Sequence, residues 1–72
     1  MRKVFNMEFD GDNPMMKDLI KIITNGVEDL IIEKDKNSIS IDASHVEYEK
    51  LISLAEVIGK TGFVKKVGVE VK

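Results

Sequence analysis

The stretch VFNMEFDGDNPMM, residues 4–16, decides how the rest of the chain is read. Phe5, Met7 and Phe9 alternate with Asn6 and Glu8. That period of two predicts a strand with one buried face. Asp10, Gly11, Asp12 and Asn13 then break the pattern. Asn13 suits a helix N-cap, and Pro14 suits the first helical position, where its missing N–H costs nothing. Met16, Leu19, Ile20 and Ile23 recur at helical spacing, so a strand, a tight acidic loop and a helix are predicted in succession.

Working outward, Asn25-Gly26 closes this helix, because Gly accepts a left-handed backbone. A second strand is predicted from residue 27 to about residue 33, with Leu30 and Ile32 inward. The polar run 34–37 reads as a hairpin turn. Ile39 and Ile41, alternating with Ser38, Ser40 and Asp42, predict a third strand with one wet face. Ser44-His45-Val46-Glu47 matches a capping box. The helix it opens carries Val46, Leu51, Leu54, Ala55 and Ile58 inward, with Gly59 marking its end and Gly62 the next turn. A last strand is predicted over 63–71, with Val67, Val69 and Val71 on one face. The order β-α-β-β-α-β predicts one domain over 1–72. It is an α+β ferredoxin-like sandwich: a four-stranded antiparallel sheet with two helices on one face.

Composition narrows the function. The 72 residues make one small domain, which buries only about 60% of the surface of its unfolded chain. Acidic and basic residues are interspersed at a net charge of −2, with no basic block to neutralise phosphates. Three Phe and one Tyr offer no base-stacking platform, so nucleic acid is not an expected partner. No cysteine is present, which removes disulfides and thiolate metal sites and suits a reducing, cytoplasmic setting. No apolar run is long enough to span a membrane, so no membrane anchor is expected. The chain shows no nucleophile–base pair, no phosphate loop and no paired-histidine metal motif, so no enzyme activity is expected. The acylphosphatases, on the same general fold, need an arginine in a phosphate loop; the one arginine here, Arg2, precedes the first strand.

The loop also resembles that of heavy-metal-associated domains, which read Met-x-Cys-x-x-Cys, often with Asp-Gly between the cysteines. Met7 takes the place of the family's Met, and Asp10-Gly11 that of the intervening pair. Phe9 and Asp12 then stand where the thiols would be. NGVEDLIIE, residues 25–33, resembles the family's Gly-Val opening to its second strand, and KTGF, residues 60–63, its turn near the metal loop. The resemblance is to plant members, including versions integrated into immune receptors. It implies a domain that has lost metal binding and works by protein contact, with a secreted pathogen effector or a second copy as partner. Soft cations need the missing thiolates, and a phenyl ring replaces none of them. Neither a metal nor another cofactor is therefore expected.

Asp10, Asp12 and Asn13 lack the spacing of a calcium loop, and Asp12 and Asn13 suit the helix N-terminus instead. The alternative is a metal-handling domain with non-cysteine ligands Met7, Asp10 and Asp12, completed by a second molecule. A third class, a regulatory ligand-binding domain, rests on fold analogy alone. His45 is expected at the surface, with no second ligand near it in sequence. Parity places Val4, Asn6, Glu8, Asp29, Ile31, Glu33, Asp42, Lys66, Gly68 and Glu70 on the helix-free face. The second and fourth strands are expected as sheet edges, whose free backbone groups can pair with another chain. The candidate partner residues are Glu28, Asp29, Ile31, Glu33, Lys65, Lys66 and Glu70; the alternative reading of these charges is edge protection, with Lys65 and Lys66 guarding one edge and Glu28, Asp29 and Glu33 the other.

Overall fold

The computed structural model describes residues 2–10, 14–26, 28–62 and 64–72, with the backbone alone at Met15, Met16 and Glu28. The elements follow the order β1 (Lys3–Glu8), α1 (Met15–Thr24), a 3₁₀ turn (Glu28–Leu30), β2 (Ile31–Lys34), β3 (Ser38–Asp42), α2 (Tyr48–Thr61) and β4 (Lys66–Val71). The strands form one antiparallel sheet in the order β2-β3-β1-β4. This is the ferredoxin-like α+β fold.

Register explains the core. Phe5 stands between Ile41 on β3 and Val69 on β4, and Met7 between Ile39 and Val67. These side chains form one inward stripe across three strands. Ile20 and Ile23 from α1 and Leu51 and Ile58 from α2 close over it in a single cluster. Phe5 is 0% exposed and Met7 2%. Each such side chain contributes about 1.5–3 kcal/mol on burial. Phe9 continues the stripe beyond β1, and its N–H donates to the Asn37 carbonyl.

Helix ends follow local chemistry. Asn25 (φ 53°) and Gly26 (φ 81°) both take the left-handed conformation and stop α1. Just inside that end, the buried Thr24 hydroxyl donates to the Ile20 carbonyl at 2.7 Å, so its burial leaves no unpaired oxygen. Gly62 (φ 78°) ends α2. Gly59 lies one turn earlier, inside the helix rather than at its end.

Several sequence expectations need correction. The second strand begins at Ile31, because Glu28–Leu30 winds into a 3₁₀ turn. Leu30 and Ile31 both pack against the core, while Ile32 is 43% exposed. Ile31 pairs with Ile41 but Glu33 with Ser40, so one extra residue sits in β2. That bulge breaks strict alternation and turns Ile31 inward, against the parity reading.

The predicted capping box does not form. Ser44 lies in a turn, α2 starts at Tyr48, and Glu47 precedes it in extended backbone without a side-chain cap bond. The Ser44 hydroxyl is already held by Asp42 and by the Lys3 N–H. A side chain committed to a local turn cannot also cap a helix.

Val4, expected in water, is only 4% exposed, though it lies on the helix-free face opposite Asp42 and Glu70. Arg2, Ile32, Glu70 and Lys72 line the cleft around it, and the stems of long polar side chains cover apolar surface in this way. Finally, the last strand starts at Lys66, and Val71 is 47% exposed, unlike Val67 and Val69, which pack on the core. The expected cap at Asn13, the strand starts at Val27 and Phe63, and the side chain of Met16 lie outside the described residues.

Phe5→Ala is expected to cost about 3–5 kcal/mol, much of the stability of a domain this small. Ile22→Ala, at a helical position 66% exposed, should shift it by no more than about 0.5 kcal/mol. Urea unfolding of the two variants checks the contrast; equal losses would contradict the core as described.

Candidate interaction surface

Met7 and Phe9 point into the core, so the thioether is spent on packing. Asp10 is exposed, and Gly11 and Asp12 lie outside the described residues. Among the described residues, no group of three His, Cys, Asp or Glu side chains converges as a metal site would require. His45 is exposed in the turn before α2.

The helix-free face is polar and internally bonded. Ser40 Oγ donates to Asn6 Oδ1 at 2.6 Å, and Asn6 Nδ2 donates to Glu70 Oε1 at 3.3 Å. Lys72 Nζ stands 3.5 Å from Glu70 Oε2. A hydrogen-bonded ladder thus crosses β3, β1 and β4. Beside it runs a shallow groove of about 490 Å³, lined by Asn6, Glu8, Ser38, Ser40, Lys66 and Gly68 among others.

At the far corner, Asp42 Oδ1 accepts from the Ser44 hydroxyl at 2.6 Å and from the Ser44 N–H at 3.0 Å. The Ser44 hydroxyl accepts from the Lys3 N–H at 3.1 Å, tying this turn to the start of β1. These two Ser44 bonds hold the Asp42 carboxyl below its ordinary value of 3.8, against the opposition of desolvation and with smaller help from the charges of Arg2 and His45.

The candidate partner residues do not form one surface. Asp29 is exposed in the 3₁₀ turn and Glu33 on β2, while Ile31 is turned inward, and the side chain of Glu28 lies outside the described residues. Lys65, Lys66 and Glu70 are exposed at β4, on the opposite edge. Three strand spacings separate those edges, about 14 Å.

The edges differ in kind. β2 has four residues and a bulge; β4 has six, runs in unbroken register along β1, and contains no proline. Arg2 and Lys72 exchange both backbone bonds, at 3.2 and 2.8 Å. By antiparallel alternation, Gly68 and Glu70 bond toward β1, while Val67, Val69 and Val71 turn their N–H and C=O groups to the free edge.

A second cleft, of about 440 Å³, lies outside what the sequence reading predicts. It sits between α1 and β2, with Ile20, Ile31 and Thr24 among its lining residues and Lys17, Lys21 and Lys34 around them. The four-residue spacing of Lys17 and Lys21 places them on one helix face and is a usable signal. Lys34 joins them only through the β2 bulge. No helix among the described residues is long and apolar enough to cross a membrane. Compared with known proteins, the chain matches no family model, no curated protein and no solved structure.

The Asp42 carboxyl is expected to titrate below 3.8 in an NMR pH series, and Ser44→Ala should move its midpoint upward. Because the folded value is the lower one, the corner's contribution to stability is present above the unfolded value and lost as pH falls through the folded one. Ser44→Ala should therefore lower stability at pH 6 more than in strong acid. An unchanged midpoint in the variant would contradict the assignment.

Proposed function

We propose that this chain is a non-catalytic protein-interaction domain, built like a heavy-metal-associated domain without its thiolate pair, whose partner docks by adding a strand to the β4 edge. The observation that carries the reading is the edge itself: six residues in straight register, with the backbone groups of Val67, Val69 and Val71 directed away from the sheet. Native sheets normally shorten, bulge or cover such an edge, as β2 is shortened and bulged here. An edge left straight is suited to strand addition, in which main-chain bonds give affinity and flanking side chains give selectivity.

Lys65 and Lys66 at one end of the strand and Glu70 near the other give the edge charge of both signs. They suit a partner strand carrying the opposite order. Burial of Met7 and Phe9 supports the loss of metal binding, since one takes the family's conserved Met position and the other a ligand position.

Two measurements test this. Cu(I) and Zn²⁺ titrations should show no stoichiometric binding of micromolar or tighter affinity, and Asp12→Ala should leave metal uptake unchanged. Tight binding lost in Asp12→Ala would overturn the metal-free reading. For docking, a partner captured from the native source is added to the labelled domain. Backbone shifts should centre on residues 64–72, and the Val67, Val69 and Val71 amides should gain hydrogen-exchange protection. Shifts confined to residues 7–16 would overturn the edge assignment.

A further inference from the structure

The β4 edge carries a charge pattern that is complementary to itself. Lys66 and Glu70 lie two residues either side of Gly68, and all three positions belong to the helix-free face, where they pair with Glu8, Val4 and Asn6 of β1 respectively. When two copies of this strand are laid antiparallel about a two-fold axis through Gly68, Lys66 of each falls opposite Glu70 of the other. Val67 falls opposite Val69 on the helix side.

The backbone agrees with this placement. Val67 and Val69 are the residues whose N–H and C=O groups face the free edge, so each Val67 can exchange both bonds with the other copy's Val69. Gly68 then meets Gly68 at a non-hydrogen-bonded position, where facing side chains come closest, and a Cβ built at Gly68 has nothing within 4 Å. Lys66 and Glu70 also meet at such positions, where a charge pair acts at short range. Moving the axis by one residue to Val69 sets Lys66 against Lys72 and loses the complementarity. The existing Lys72–Glu70 bridge is about 60% exposed on both sides, so exchanging it costs little.

We infer that the partner strand at the β4 edge is β4 of a second copy, paired antiparallel about Gly68 to give a continuous eight-stranded sheet across a two-fold axis. This rests on the edge-docking reading above and gives it an occupant. The contact is isologous, so it closes at two copies and does not propagate.

Sedimentation equilibrium on the wild-type chain, Lys66→Glu, Glu70→Lys, and an equimolar mixture of the two variants tests it. The wild type should show a reversible monomer–dimer equilibrium below about 1 mM, within the range of weak, small interfaces. Each single variant places like charges opposite one another twice and should associate roughly tenfold or more weakly. The mixture should regain association, because the two acidic side chains of one variant's edge then face the two basic side chains of the other's. A wild type that stays monomeric at 1 mM, or variants that dimerise as well as the wild type, would overturn self-pairing. In the monomeric case, protection of the Val67, Val69 and Val71 amides by a captured partner would leave the edge-docking reading standing; the absence of protection there would remove both.

Discussion

Everything in this domain depends on the inward stripe of β1. Phe5 and Met7 are flanked on both sides by hydrogen-bonded strands and are covered by residues of both helices. Without that stripe the helices lose the centre of the surface they pack on, because beyond it, among the described strand residues, only Ile39 and Ile41 of β3 are fully buried on the sheet's inner face and the edge strands contribute partly buried residues. A chain of 72 residues has little spare burial, so its few wholly enclosed side chains carry a large share of the stability.

That dependence sets the fate of Phe9, just beyond β1. It turns inward and extends the hydrophobic stripe, and its N–H is tied to Asn37. Packing therefore claims this position as well. The chemistry left at the described surface is that of backbone groups and exposed charges.

The fold was legible in the sequence because its signals are local and redundant. Phe5, Met7, Ile39 and Ile41 alternate cleanly, and Leu51 and Ile58 sit two helical turns apart. The failures occurred where a local rule met a competing contact. Ser44 scores as a cap until Asp42 is seen to hold its hydroxyl. Ile31 reads as outward until one extra residue in β2 reverses the parity. Val4 obeys its parity yet is covered, because alternation reports which side of the sheet a residue takes, not what lies above it. The candidate surface was only half legible: the edge strands followed from topology, but the difference between a bulged β2 and a straight β4 depends on register. The grouping of Lys34 with Lys17 and Lys21 depends on the same bulge.

The reciprocal backbone bonds between Arg2 and Lys72 have a kinetic meaning as well. They close the largest loop the described chain makes, joining residues 70 positions apart, whereas β2 and β3 are joined by a short turn. Loop closure of that span is an entropic cost met before the β1–β4 contacts are gained, and it raises the contact order of the domain. The same adjacency means that a short linker between the two ends would turn the most distant pairing in the chain into a local hairpin. Circular permutation with new ends in the turn at Lys36–Asn37 would keep the sheet order while redistributing which strands must find each other first.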